Sequence, residues 1–206
     1  MTGCNDADVS APRDPVELLV VANDEFARRL RLVGPDDWRR PTPCSEWDVR
    51  ALVNHVVGAN RRYQLLLRGA PSEQVEATRT VDHLGEDALA SFVATADGVV
   101  ACFHEDGSLE RSAHHATGNR TGRELLSMRV LDAAIHAWDL ARAIGADETL
   151  CDDVVAFLIA YTADLDLGPQ QRAFALADAD VPRNASPQDQ LLHRLGRHPN
   201  ITEEVR

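Results

Sequence analysis

The chain has 206 residues, of which 44% are hydrophobic and 26% are charged, so it is long enough to form one compact domain with a complete core. Its formal net charge is −12 and its isoelectric point is near 5.0. This acidic balance argues against nucleic acid or an anionic membrane surface as the main partner, because both carry negative charge.

The cysteine pattern and the lengths of the apolar runs indicate where the protein resides. Four cysteines lie far apart without a C-x-x-C pair, at Cys4, Cys44, Cys102 and Cys151. Such spacing is more typical of free thiols in a reducing cytosol than of a disulfide framework. No apolar run approaches the roughly 20 residues of a membrane span, and residues 1–14 have no apolar signal core. We therefore expect a cytoplasmic protein without a membrane partner.

Start and stop signals predict two helices in the first third of the chain. Asp14 followed by proline predicts the first helix start, since Asp caps free N–H groups and proline suits the first helical position. Gly34 and the proline after it end that helix. Ser45 is the predicted N-cap of the second helix, in which apolar residues recur at helical spacing to about Arg68.

Further helices are predicted along the rest of the chain. Thr121 and Glu124 match a capping box, which favours a helix start at this point. In chain order we predict a loop over 71–84, a third helix over 85–104, a short strand or extended connection over 109–117, a fourth helix ending at Gly145, a fifth over 150–165 and a tail helix over 186–196.

These elements predict an all-α protein, namely an antiparallel four-helix bundle with additional C-terminal helices that pack outside it. The expected organisation is a single domain over residues 1–206, with a core at about 14–166 and a C-terminal extension at 167–206. The first helix carries apolar residues beyond one face, at Leu18, Val20 and Val21. An excess of this kind predicts a homodimer interface.

The segment Met128–Ile144 carries the most informative pattern in the sequence. It is apolar on most sides, which predicts a buried helix. One polar stripe interrupts it, formed at helical spacing by Arg129, Asp132, His136 and Asp139. Burying such groups is costly unless they are paired or bind a metal. Asp132 and His136, four residues apart, can supply two metal ligands from one helix face.

His55 is the best candidate for a third ligand, because it lies at the edge of the apolar face of the second helix and can point toward a facing helix. Two histidines and one carboxylate leave coordination positions open, as in catalytic metal sites. This set suits Zn²⁺ and also Ni²⁺, Mn²⁺ or Fe²⁺.

Structural interpretations of the same residues remain open. His55 could be a hydrogen-bonding core histidine, and Asp132 could form a buried ion pair with Arg129 or His136. Asp139 and Arg142, three residues apart, are most simply a helix salt bridge. We expect the remaining histidines to be solvated, namely His83, His104, His114, His115, His193 and His198.

Three motifs resemble those of a known family. The run PTPCSEWDVRALVNHVVGANRRY (Pro41–Tyr63) resembles the opening motif of the mycothiol-dependent maleylpyruvate isomerase N-terminal family, within the DinB-like superfamily. RVLDAAIHAWDLARAIG (Arg129–Gly145) resembles the second motif of that family. SPQDQLLHRLGRHP (Ser186–Pro199) resembles the usual end of an actinobacterial metal-binding subgroup. The motifs occur in family order and span nearly the whole chain.

The resemblance implies a DinB-like four-helix bundle with a divalent metal, usually taken as zinc. His55 matches the histidine ligand of the first motif and His136 that of the second. Asp132 stands where the characterised isomerase has a glutamate, and this departure bears more on the isomerase reaction than on the metal.

The resemblance also implies a chemistry, in which a low-molecular-weight thiol such as mycothiol is activated by the metal and attacks a small electrophile. Arg129 is the candidate catalytic residue, since it could hold a substrate carboxylate or stabilise an enolate; its alternative role is to pair with Asp132. We therefore expect a metal-dependent transferase, isomerase or lyase that acts on a small molecule and a thiol. The alternative is a metal-binding protein without catalysis, for storage, sensing or partner binding.

Overall fold

The structure, a computed structural model, describes residues 14–163, 165 and 185–199. The chain divides into two compact units, Met1–Thr149 and Leu150–Arg206. The first unit contains α1 (Pro15–Leu30), α2 (Val49–Leu67), α3 (Ser72–Ala77), a 3₁₀ turn (Thr78–Thr80), α4 (Ala88–His104), β1 (Ser112–His115), β2 (Gly118–Thr121) and α5 (Gly122–Ile144). The second unit contains α6 (Asp152–Ala163) and α7 (Pro187–Arg194). The domain limits predicted from the sequence stay a prediction.

The four long helices of the first unit form a four-helix bundle, and the predicted fold class is confirmed. Helices α1 and α2 each pack against both α4 and α5. Helices α2 and α5 run antiparallel, since His55 lies beside Asp132 whereas Asn60, further along α2, lies beside Arg129, further back on α5. The bundle core is apolar and fully buried, and it includes Phe26, Val53, Val56, Leu84, Phe92, Ala137 and Leu140.

Local signals explain why several of these helices begin and end where they do. The Asp14 carboxylate accepts a hydrogen bond from the Val16 N–H at 2.9 Å, and proline occupies the first turn of α1. At the start of α5, Thr121 and Glu124 form the predicted capping box. Gly145 ends α5 with a φ of 70°, in the left-handed region that favours glycine.

Two predicted elements differ from the structure, and a third has an additional strand beside it. The N-cap of α2 is Asp48 rather than Ser45, and its carboxylate accepts the Ala51 N–H at 2.8 Å. Asp wins because residues 42–47 form a compact loop, closed by a hydrogen bond from the Thr42 N–H to the Trp47 carbonyl. The predicted loop over 71–84 contains α3 and the 3₁₀ turn. The short strand expected within 109–117 is present as β1, and β2, which the sequence did not predict, pairs with it in an antiparallel hairpin.

Two sequence-based expectations about surfaces can be compared with the described residues. Of the apolar excess on α1, Leu18 is buried, whereas Val20 is 39% exposed. The homodimer stays a prediction. In the part of the chain that the structure describes, no helix combines the length and apolar character that crossing a membrane requires.

Candidate metal centre

Helix α5 carries the predicted polar stripe through the interior of the bundle. Its residues are buried almost throughout, and Arg129, His136 and Asp139 are at most 2% exposed. The helix cannot turn these groups to solvent because its other faces carry apolar core residues such as Val130 and Trp138. Each polar side chain must therefore find a partner inside the protein.

The structure brings together the three predicted metal ligands. The His55 Nε2 atom lies 3.1 Å from Asp132 Oδ1, and the His136 Nε2 atom lies 3.4 Å from the same oxygen. The rings of His55 and His136 meet edge to face, with their centroids 5.0 Å apart. One donor atom from each of the three residues lies within 4.8 Å of the others. The three side chains converge because α2 and α5 are neighbouring antiparallel helices of the bundle.

This donor set fits a divalent cation. Ligands held about 2.0–2.1 Å from a tetrahedral zinc ion are separated by about 3.3 Å, close to the two nitrogen–oxygen separations around Asp132. Three protein ligands leave a fourth position for another molecule. His55 and Asp132 provide access, since their side chains are 27% and 20% exposed. That these residues bind a metal stays a prediction.

The electrostatics of the site favour a positive charge beside Asp132. Burial by itself raises the pKa of Asp132, but the Arg129 guanidinium and the two imidazoles outweigh it and hold that pKa well below its ordinary value. Burial lowers the pKa of His55. Burial also opposes the charged form of His136, yet the Asp132 carboxylate and the hydrogen bond that the His136 ring donates to Asp139 raise its pKa well above the ordinary value. Asp132 is therefore an anion surrounded by cationic and imidazole groups.

A second carboxylate orients His136. The Nδ1 atom of its ring lies 2.9 Å from Asp139 Oδ2, which leaves Nε2 facing Asp132. Outer partners of this kind fix the ring position of metal-binding histidines. The predicted helix salt bridge between Asp139 and Arg142 is wrong, because Arg142 instead pairs with Glu148 at 2.7 Å. A buried imidazole is the nearer partner for a carboxylate with no exposed surface.

The loop before α2 adds groups that the sequence analysis did not assign to the site. The Cys44 Sγ atom lies 3.3 Å from Asp139 Oδ2 and 4.0 Å from His136 Nδ1, so these three residues form a second group of potential ligands. The Trp47 ring packs against the His55 ring at a tilt of 33°, with 4.5 Å between ring centroids. The only sequence signal for these contacts is the motif around Cys44, since the loop and α5 are far apart in the chain.

The Arg129 guanidinium forms hydrogen bonds inside the protein. Its Nε atom donates to Asn60 Oδ1 at 2.8 Å, and Nη1 donates to Asp132 Oδ2. This arrangement matches the alternative in which Arg129 is the partner of Asp132. A catalytic role for Arg129 stays a prediction.

Two of the histidines expected in solvent are buried. His83 is 5% exposed beneath α2, where its Nε2 atom lies 2.8 Å from the Thr78 carbonyl. His193 is 7% exposed within the second unit. The expectation for His83 failed because 71–84 was predicted to be a solvated loop, whereas the 3₁₀ turn lies against His83. His193 is buried with the apolar residues Leu191 and Leu192 of α7. By contrast His104, His114 and His198 are exposed as expected.

Comparison with known proteins gives three findings. The family profile described as "Mycothiol maleylpyruvate isomerase N-terminal domain" matches residues 19–141. Two curated relatives, the uncharacterized protein MT0763 of Mycobacterium tuberculosis strain CDC 1551 / Oshkosh and the uncharacterized protein Rv0738 of strain ATCC 25618 / H37Rv, are each 34% identical over 187 residues. The alignments cover 89% of this chain and 98% of each relative.

The third finding is a likeness of fold. The crystal structure of a mycothiol-dependent maleylpyruvate isomerase superposes with a TM-score of 0.57 at 18% identity, covering 71% of this chain and 67% of that chain. A mutant of such an isomerase gives a TM-score of 0.56 at 17% identity with the same coverage. At this identity the likeness shows that the fold is shared.

Proposed function

The chain belongs to the mycothiol maleylpyruvate isomerase N-terminal domain family, and on this premise we propose that it is a divalent-metal-dependent enzyme that uses a low-molecular-weight thiol. The reaction is transfer, isomerisation or lyase chemistry on a small electrophile. Mycothiol is the proposed thiol and zinc is the proposed metal, held by His55, Asp132 and His136.

The observation that carries this proposal is the convergence of two imidazoles and one carboxylate with an open side. A closed structural site would use four protein ligands, whereas three leave room for an exchangeable one. The site also borders a cavity of about 350 Å³ that His55 and Trp47 line. This volume lies at the lower end of the range of small-molecule pockets.

A divalent cation at this site would lower the pKa of a thiol and favour its thiolate at neutral pH. The protein residues have supporting roles. Asp139 holds the ring of His136 with Nε2 toward Asp132. Trp47 packs against the His55 ring and helps to hold its position. Arg129 fixes the carboxylate of Asp132 from within the bundle, and Asn60 in turn accepts a hydrogen bond from Arg129.

The test of the proposal is calorimetry with mycothiol, bacillithiol and glutathione on zinc-loaded protein and on protein stripped by a chelator. We expect mycothiol to bind the zinc-loaded protein with a dissociation constant below millimolar and to bind the stripped protein much more weakly. If no thiol binds, and zinc raises only the melting temperature, the protein is instead a non-catalytic metal-binding protein.

Replacing Arg129 with alanine is expected to weaken zinc binding by about ten- to a hundredfold, since outer partners of metal ligands typically contribute that much. The reason is that Asp132 loses the guanidinium that orients it. Zinc titration against a competing chelator measures the change. Arg123→Ala is the matched control, because Arg123 lies on the same helix in an exposed pair with Glu110. Equal zinc affinity of the Arg129 variant and the parent would contradict the positioning role.

A further inference from the structure

The cavity beside the candidate metal centre has an unusual charge for this protein. Arg62, Arg79 and His83 line it together with His55. The chain as a whole carries a net charge of −12, which disfavours the approach of anions in general. The two arginines in this cavity are therefore a local concentration of positive charge in an acidic protein.

Arg62 is the most telling of these residues. It is 9% exposed, and within residues 14–163, 165 and 185–199 no hydrogen-bond or ion-pair partner contacts its guanidinium. Burial lowers the pKa of Arg62, and Asp132 is the acidic group that most offsets this effect. Asp132, however, is already held by Arg129 and by the two imidazoles. The Arg62 side chain is therefore largely buried while its guanidinium lines the cavity, where an anionic ligand could supply the counter-ion.

The Arg62 guanidinium packs closely against the α2 backbone at the cavity wall. A Cβ atom at Gly58 would lie 3.1 Å from Arg62 Nη1 and 2.7 Å from His83 Cδ2, so only glycine lets both side chains pack onto the α2 backbone. The His83 Nε2 atom donates to the Thr78 carbonyl, while its buried Nδ1 atom has no hydrogen-bond partner among the described residues. The cavity thus offers the charged fork of Arg62, held against the α2 backbone.

Arg62 lies on the same helix as one residue of the candidate metal centre. Arg62 follows His55 by seven residues on α2, which places both on the same helix face about 10.5 Å apart along the axis. A small molecule held at Arg62 can therefore extend toward His55, Asp132 and His136. Arg79 lies at the more open side, where its Nε atom pairs with Glu76 at 2.6 Å.

We propose that Arg62 is the anion-binding residue of this pocket and that it holds a carboxylate or phosphate group of the small electrophile. This inference rests on the proposed function and adds the charge of the substrate to it. The guanidinium fork matches both anions bidentately. The role assigned to Arg129 from the sequence, holding an anion of the substrate, passes to Arg62, because Arg129 has no exposed surface and contacts Asn60 and Asp132.

The test uses the full chain, stripped of metal, with succinate, inorganic phosphate and neutral succinamide as probes. Calorimetry reports binding, and a change in tryptophan fluorescence, to which Trp47 in the cavity wall contributes, supports it. The variant is Arg62→Gln and its matched control is Arg61→Gln, which removes one charge from the exposed neighbouring position on α2. We expect the parent and the Arg61 variant to bind succinate or phosphate alike, and Arg62→Gln to bind the anion at least tenfold more weakly.

The relative affinities of succinate and phosphate identify which anion the pocket prefers. Succinamide binding as tight as succinate, or equal anion affinity of Arg62→Gln and the parent, would overturn the proposal. Arg62→Met adds a stability readout: the melting temperature should not fall, because the change removes a buried charge that lacks a partner. A clear fall would mark Arg62 as a structural residue. Anion binding by metal-free protein does not depend on thiol or metal binding. A negative result for Arg62 therefore does not contradict the proposed thiol-dependent function, and a negative result with thiols does not contradict the anion site.

Discussion

Replacing His55 with alanine is expected to remove most of the metal that the protein carries when it is purified without chelators, and to weaken zinc binding by more than about a hundredfold. The physical reason is that His55 is the donor that α2 contributes, whereas Asp132 and His136 both come from α5. Two ligands from one helix turn bind a divalent ion weakly without a third. Elemental analysis and competition with a chelator measure the loss.

His104→Ala is the control for this experiment, since His104 lies exposed at the end of α4 and belongs to neither group of potential ligands. It should keep the metal content of the parent. The helical circular dichroism spectrum of the His55 variant should be unchanged, because that side chain is 27% exposed and lies at the edge of the core. Unchanged metal stoichiometry in the His55 variant would leave this histidine as a hydrogen-bond partner of Asp132 only.

Replacing Gly122 with alanine is expected to destabilise the protein by about 3 kcal/mol, at the upper end of the usual cost of overpacking. A Cβ atom at this position would fall on the backbone carbonyl of Ser108, and backbone cannot move aside as a flexible side chain can. The neighbouring chain is fixed, because the Gly122 N–H bonds to the Arg111 carbonyl at 2.9 Å and the Arg123 N–H bonds to that of Leu109 at 2.9 Å.

Denaturant unfolding measures the change in the free energy of unfolding. The sign of that change separates steric overlap with Ser108 from helix propensity as the dominant effect. Helix propensity alone predicts that alanine stabilises α5 by about 1 kcal/mol relative to glycine. Gly34→Ala is the matched control, since a Cβ atom there meets only the Asp37 side chain, at 3.4 Å. Equal or greater stability of the Gly122 variant would show that the close approach to Ser108 does not constrain the start of α5.

The sequence determined the parts of this protein that depend on neighbouring residues. The caps at Asp14 and Thr121 and the end of α5 at Gly145 follow from hydrogen bonds and φ angles within a few residues. The buried nature of α5 and the spacing that aligns Asp132 with His136 follow from the helical repeat. His55 could be predicted as their partner only as a candidate, from its place at the edge of an apolar face and from its motif.

The predictions that were wrong concern positions where a local sequence signal competes with a contact to a distant part of the chain. Ser45 is as good a cap as Asp48, but the hydrogen bonds that close the 42–47 loop decide between them. Asp139 could meet either Arg142 or His136 on its own helix, and the choice of His136 follows from burial in the bundle. Helical spacing alone allows Asp139 to pair with Arg142 or with His136 equally well.

Only the tertiary structure decided which groups surround the three candidate ligands. Cys44 and Trp47 reach the site because the loop before α2 folds back onto α5. Arg62 and His83 both lie against Gly58, because a residue without a Cβ atom lets the segment after α3 approach α2. Local preferences act over one or two helix turns, whereas these contacts join segments up to about a hundred residues apart. Their energies come from burial and charge pairing that exist only once the bundle has formed.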